Sequence, residues 1–301
     1  MLIAYGLLLF SMLAEAAQQV MMDKFGEKYL VTKTDNFIFQ LISGVGCFVV
    51  MLVCGGKFTT ASPFMLILAL ALAIVAATSC FTRLYCYSIG PMSYSVLIIC
   101  IGGMIISTVY GTVSKLLLTG EFNISVFQII GFLAIIASIT LGVNLQKGSG
   151  MTPKWLIITV VASIFNGSYG ICQTIQQESD FKEDFVSFLL WTFLFETVIF
   201  VILTAFSAIT SKGDEKKIYF NPLKTKFTFL VFLTGLIYGI INVLNIYLIG
   251  ILPAIIFFPI QNGGVLFFAA IAAVVICKEK MTKKQVIGLI IGIAAVVLLN
   301  L

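Results

Sequence analysis

Glu279-Lys280-Met281-Thr282-Lys283-Lys284-Gln285-Val286-Ile287-Gly288 separates two long apolar runs, and the chain has used the same frame once before. The earlier copy runs from Glu121 through Ser125 and Gln128 to Gly131. The correspondence extends upstream, where Tyr87, Ile89, Gly90 and Gly103 match Tyr247, Ile249, Gly250 and Gly263. The offset between partners drifts from 160 through 158 to 157 residues, as a duplication with small loop changes leaves it. Duplicated hydrophobic units are how many transporters build a solute site, at the seam between two halves. The repeat points at a function before any single residue does.

Composition places that repeat in a lipid bilayer. The 301 residues are 60% hydrophobic and only 10% charged, with a mean hydropathy of +1.11; ordinary globular domains carry about 25% charged residues. Nearly the whole chain falls into runs long enough to cross a ~30 Å hydrocarbon core, which takes about 20 helical residues. The longest polar stretch, Ser211 to Lys226, reads as a loop. The first run, Leu2 to Val20, has no basic flank and no small-residue cleavage site, so it reads as a retained span. The net charge of +5 sits in short loops and reads as membrane-flanking charge, not as a nucleic-acid surface. The seven cysteines form no CxxC pair and imply no disulfide framework. Histidine is absent, which removes the commonest general base and metal ligand; neither an enzyme nor a cofactor is expected.

Apolar runs read against helix breakers predict an all-α polytopic membrane protein. Ten transmembrane helices are expected near 2–22, 36–54, 63–87, 91–114, 125–145, 154–177, 185–209, 227–249, 253–277 and 284–301. Pro63, Pro91, Pro153 and Pro253 stand at openings of spans, where a missing N–H costs nothing. Ser125-x-x-Gln128 and Thr282-x-x-Gln285 are capping boxes, and Gly288 with Gly292 makes a GxxxG contact. Gly148-Ser149-Gly150 is the natural joint between repeats of five helices, 1–147 and 153–301. Five is odd, so the second repeat enters the bilayer inverted. Fifteen basic residues, Arg83 among them, fall on the odd-numbered loops against Lys57, Lys115 and Lys182 on the even ones. By the positive-inside rule the odd loops are cytoplasmic and both termini face outward.

With these motifs in hand, the chain resembles the drug/metabolite transporter superfamily in its ten-span, EamA-like form, over essentially its whole length. The segment Glu279-Lys280-Met281-Thr282-x-x-Gln285-x-x-Gly288 looks like the family's closing motif, and Gly120-Glu121 with Ser125-x-x-Gln128-x-x-Gly131 like a weaker copy. Ala14-Glu15 followed by Met22-Asp23-Lys24-Phe25 is similar to the first span of the small four-helix multidrug exporters, whose glutamate carries protons and binds cationic substrate. The resemblance implies a bacterial cytoplasmic membrane and protons as coupling ion. Three departures stand beside it. Val265-Leu266 replaces a Glu-Pro pair of the ninth span, the first-span glutamate–lysine spacing is one residue longer, and family members keep both termini inside.

Polar groups inside the spans are the candidate site. A charge near the bilayer centre costs about 2.5–3.5 kcal/mol on insertion scales and must face a partner or a cavity. Glu15, with Gln18 one turn on, and Glu196, midway along the seventh span, qualify; the bland alternative for each is a neutral acid bonded to a neighbouring helix. Arg83, a turn before the end of the third span, reads by default as snorkelling to the headgroups. Its sharper reading is a clamp for a substrate carboxylate or a partner for Glu15. Asn166, Tyr169 and Gln173 share a face of the sixth span, and Tyr238, Asn242 and Asn245 a face of the eighth. In the ninth span Pro253, Pro259 and Gln261-Asn262-Gly263-Gly264 read as an interruption in mid-membrane. Its repeat partner carries Pro91, Ser93, Tyr94, Ser95 and Gly102-Gly103. Paired interruptions point to a transport site; close packing at glycine is the other reading.

The substrate set expected from sequence is therefore Glu15, Gln18, Arg83, Tyr94, Asn166, Tyr169, Gln173, Glu196, Tyr238, Asn242, Asn245, Gln261 and Asn262, with Glu15 as the coupling group and no metal. The function expected is secondary active transport, exporting or exchanging a small polar metabolite such as an amino acid or amine, by alternating access around a cavity between the repeats. Proton-coupled efflux of cationic drugs or guanidinium-type compounds is the alternative within transport. A non-transporting scaffold or receptor is the alternative of another class.

Overall fold

A computed structural model of the chain describes residues 2–30, 32–58, 61–119, 126–142, 151–180, 183–211, 228–252 and 254–298. The described residues are all-helical: α1 (Leu2–Tyr29), α2 (Lys33–Val53), α3 (Pro63–Ile89), α4 (Met92–Thr119), α5 (Val126–Gly142), α6 (Pro153–Glu178), α7 (Phe185–Thr210), α8 (Thr228–Ile249), α9 (Ala254–Val275) and α10 (Lys283–Leu298). Six of these, α1, α2, α3, α6, α7 and α8, contain stretches long and apolar enough to cross a membrane, with mean hydropathy between 1.3 and 2.5. Shorter apolar stretches, 92–106 and 260–275, lie in α4 and α9.

The helices begin where local chemistry tells them to. Thr32 opens α2 with a capping box closed by Asp35, Ser62 and Pro63 open α3, and Thr152 and Pro153 open α6. Each hydroxyl accepts a first-turn N–H that would otherwise lack a partner. Thr282 and Gln285 complete the predicted box ahead of α10, each side chain taking the other's backbone N–H, at 3.3 and 2.8 Å. The counterpart at Ser125, Glu121, the joint at 148–150, Pro253 and the loop 212–226 lie outside the described residues. Helix α1 runs seven residues past its expected end at 22, because Asp23, Lys24, Glu27 and Lys28 end the apolar run without ending the helix.

Polarity is distributed as it is in a protein dissolved in lipid. Ser11, Gln18, Gln40, Thr159, Gln173, Glu196, Thr234, Asn242 and Gln261 are buried. Ile3, Phe206, Ile209 and Phe229 are more than half exposed. In hydrocarbon the polar groups must find partners inside while apolar side chains face out. The principal packing pairs are α1 with α8 and α9, α2 with α7 and α8, α3 with α6 and α7, α4 with α6 and α9, and α5 with α10. The junctions after α1, α3, α7 and α9 gather at one end of the molecule. There Thr34 bonds Ser207 at 2.6 Å, Asn36 donates to the Phe81 carbonyl at 3.3 Å, and Glu279 reaches the start of α4. The junctions after α2 and α6 meet at the other end, where Ser62 N–H donates to Glu183 at 2.9 Å and Lys57 N–H to the Ser187 hydroxyl at 3.0 Å.

Glycines set how close the helices come. The predicted interruptions are corrected: α4 runs unbroken through Gly102-Gly103, and α9 through Pro259 and Gly263-Gly264. A Cβ at Gly102 would overlap Ser163, and one at Gly264 would overlap Met12. Backbones in lipid gain most from close van der Waals approach, so these glycines serve contact, not breakage. The Gly288/Gly292 pair does the same, since the Ser138 hydroxyl of α5 donates to the Gly288 carbonyl at 2.6 Å. The α2–α8 contact is tightest. A Cβ at Gly46 would stand 2.7 Å from the Phe232 carbonyl oxygen, and one at Gly235 would overlap the Ser43 carbonyl. Gly235→Val therefore pushes α2 and α8 apart; it is expected to cost about 1–3 kcal/mol, the usual range for overpacking, read as a lower thermal midpoint of the detergent-solubilised protein than that of Ile240→Val on the exposed face.

Candidate solute cavity

Six helices from both halves of the chain converge on one polar cavity, α4 contributing Gly103. Its walls include Glu15 (α1), Ser79 and Arg83 (α3), Asn166, Tyr169 and Gln173 (α6), Tyr238, Asn242 and Asn245 (α8), and Gln261 and Asn262 (α9). Each element presents these groups by helical spacing. Asn166, Tyr169 and Gln173 recur at three and four residues, as do Tyr238, Asn242 and Asn245, so each set keeps one face. Phe257 and Phe258 add an aromatic wall one turn before Gln261 and Asn262.

Arg83 is the cation of the cavity. Its guanidinium lies 3.9 Å from the Glu15 carboxylate, with side-chain exposures of 8% and 19%, and it donates to Asn166 Oδ1 at 2.7 Å. The snorkelling expected by default is thus corrected: Arg83 turns inward, because a carboxylate and a carboxamide in the interior offer partners within reach. The other Glu15 oxygen accepts from Gln261 Nε2 at 3.0 Å, the same nitrogen donates to Ser11 Oγ at 3.3 Å, and Ser11 donates to Asn245 at 2.6 Å. On the opposite wall Tyr169 donates to Asn242 Oδ1, Gln173 approaches the same oxygen at 3.4 Å, and Asn242 donates to the Tyr238 carbonyl at 2.9 Å. Asn262 donates to the Phe258 carbonyl at 2.8 Å.

Ten of the residues singled out from sequence line this cavity: Glu15, Arg83, Asn166, Tyr169, Gln173, Tyr238, Asn242, Asn245, Gln261 and Asn262. Gln18 and Glu196 line a second, smaller cavity behind it. Tyr94 lies in neither: its hydroxyl donates to the Gln285 carbonyl of α10. The polar run around it fastens helix ends. Ser93 and the Met92 and Ser93 N–H groups donate to Glu279, and Ser95 accepts from Trp155 Nε1 at 2.9 Å. Sequence reasoning missed Ser11, Ser79, Phe257 and Phe258. Ser11 sits four residues before Glu15 on its own face, a spacing that marks it. The two phenylalanines carry no signal among 27 of their kind.

The sequence pattern of the EamA-like transporter family matches residues 153–301. This half of the chain is an EamA-like transporter domain. It supplies α6, α8 and α9 of the cavity. The chain is also 29% identical, over 197 residues, to a protein of Listeria innocua provisionally named for sugar uptake; the match covers 62% of this chain and 62% of that relative's length. A solved crystal structure shares the fold with a TM-score of 0.59 and 11% identity, over 97% of this chain and 94% of that one. The hydropathy and the family match together make the protein an integral membrane protein whose second half is of the EamA-like transporter type.

The Arg83–Glu15 pair makes a clean test of how α3 is held to α1. Removing one partner of a buried pair strands the other charge, at a cost of about 3–5 kcal/mol. Arg83→Met is expected to lower the thermal midpoint sharply, whereas the double variant Arg83→Met/Glu15→Gln recovers much of the loss. A double variant no more stable than Arg83→Met would show that the pair contributes nothing.

Proposed function

We propose that the protein is a secondary transporter that carries a small, neutral, polyhydroxylated solute of the sugar or polyol class by alternating access. The observation that carries this reading is the cavity wall. Its two charges, Arg83 and Glu15, lie against each other, and the surrounding groups are carboxamides and phenols, each able to donate and accept. A ring of hydroxyls on a compact apolar frame meets such a wall without bringing charge of its own, and Phe257 and Phe258 offer its C–H faces an aromatic surface. The name of the Listeria relative agrees. The amino acid or amine reading keeps one specific support: a zwitterion could open the 3.9 Å pair and take Arg83 with its carboxylate and Glu15 with its ammonium.

Packing supports two inverted repeats, 1–147 and 153–301, as the moving parts. Exchanging α1–α5 with α6–α10 turns each principal contact into another or into itself: α1 with α8 becomes α6 with α3, α1 with α9 becomes α6 with α4, α2 with α8 becomes α7 with α3, and α2 with α7 and α5 with α10 are unchanged. The repeats would then rock about the cavity. With Arg83 buried, fourteen basic residues remain on the odd-numbered loops against three, which still favours cytoplasmic odd loops. Gln173, Asn245, Phe257 and Gln261 stand in the halves of their helices nearest the even-numbered junctions. A cysteine placed at Lys216 should then resist an impermeant thiol reagent applied to intact cells; labelling from outside would reverse the orientation.

Counterflow in proteoliposomes tests the substrate class, with labelled sugars, polyols, amino acids, amines and quaternary cations compared. Sugars or polyols should exchange fastest, and Asn242→Leu, which removes the acceptor shared by Tyr169 and Gln173, should slow them at least about tenfold, the worth of one to two hydrogen bonds. Exchange confined to amines or quaternary cations would sink the neutral-solute reading.

A further inference from the structure

Behind the solute cavity lies a second cavity that the transport reading has not used. Its walls include Gln18 and Met22 of α1, Phe39, Gln40 and Cys47 of α2, Cys80 and Arg83 of α3, Glu196 of α7 and Tyr238 of α8. Arg83 and Tyr238 line both cavities and form the partition between them. Glu196 is 3% exposed, in the middle of a helix whose outer face is Val198, Val201 and Ile202. Its Oε2 has no hydrogen-bond partner, nor has Oε1 of Gln18, which is 5% exposed. Two acceptor oxygens therefore face the chamber unpaired, while the Cys80 thiol is the hydrogen-bond partner Glu196 has.

We propose that Glu196 is the site at which a coupling proton is bound and carried, in a chamber separated from the solute by Arg83 and Tyr238. The proposal rests on the transporter reading above and extends it. A proton from water at one membrane face adds to Glu196 Oε2 and makes a neutral acid; that acid carries an O–H donor into a chamber where Gln18 Oε1 is an unpaired acceptor. The same proton leaves to water at the other face, and no bond of the solute is made or broken. The walls favour a proton over a metal cation. Two thiols, a thioether and a phenyl ring occupy positions where an alkali cation would need oxygens. The groups facing Glu196 from the packed helices are Cys47 of α2, Cys80 and Arg83 of α3, Tyr169 of α6 and Tyr238 of α8. Among these Arg83 alone carries a full charge, and it is already engaged with Glu15 and Asn166 on the solute side. Its Nε has no acceptor.

Coupling follows from that shared guanidinium. With Glu196 neutral, Arg83 stays with Glu15 and Asn166 and holds the α1, α3 and α6 walls together. When the proton leaves, a second carboxylate competes for Arg83 from behind, and the solute wall loosens. Glu15, held by Arg83 and Gln261, is then a positioning residue and not the proton carrier.

Glu196→Gln mimics the neutral acid in shape and supplies a donor. In proteoliposomes it should keep solute counterflow while losing accumulation driven by a pH gradient and the accompanying proton flux; Glu196→Asp should keep the drive. Infrared difference spectra of the purified protein under pH titration should show a carboxyl C=O stretch that disappears in Glu196→Gln, a readout independent of transport. Undiminished pH-driven accumulation in Glu196→Gln, a titrating band unchanged by the substitution, or accumulation that follows a sodium gradient instead would each overturn the proposal. Absence of counterflow in the wild type would count against the transport reading, and the infrared band would still decide whether Glu196 takes the proton.

Discussion

A guanidinium held among hydrocarbon-facing helices sets the terms for the interior of this protein. Placing such a charge in the bilayer costs about 2.5–3.5 kcal/mol even on the most lenient scales, and Arg83 meets that cost with Glu15 at 3.9 Å and Asn166 at 2.7 Å. Those two contacts draw α1, α3 and α6 to one point. Glu15 then recruits Gln261 from α9, and Ser11 on the same face of α1 recruits Asn245 from α8. One cation and its partners thus account for the convergence of five of the six helices around the cavity between the halves.

Around that point the chain is assembled without the usual aqueous driving force. Apolar side chains gain little by leaving lipid for protein, so association rests on close backbone approach and on interhelical hydrogen bonds. Gly46 and Gly235 give the first between α2 and α8, while Gln40, donating to the Cys80 carbonyl at 3.0 Å, gives the second between α2 and α3. The polar groups that bind helices and the polar groups that line the cavity are of the same types. Their roles differ only in whether their bonding capacity is used up.

That ambiguity explains what could be read from the sequence. Helix positions were legible because Pro63, Pro153 and Thr282 mark starts chemically, whereas the Thr32 cap, unread, left α2 expected three residues late. The cavity faces on α6 and α8 were legible because polar residues at helical spacing in an apolar span are improbable without a purpose. Tyr94 was misplaced because Pro91 to Ser95 looks polar for the same reason, and only the neighbours Glu279, Gln285 and Trp155 reveal it as a fastening. The glycine pairs were misread as breaks because the letter is identical for a bend and for a close contact. Arg83 depended on which partner lay within reach, and no local pattern contains that information. Phe257 and Phe258 were lost in a crowd of rings.

Glu279 carries a consequence for how the molecule is made. Its carboxylate takes the Met92 and Ser93 N–H groups and the Ser93 hydroxyl, so the amino end of α4, with its exposed partial positive charge, is closed by a residue 186 positions later in the chain. During synthesis the first five helices leave the ribosome with that end unanswered. It stays so until nearly the whole second half has been threaded into the bilayer. The amino end of α4 therefore goes without this cap for as long as Glu279 has still to be made.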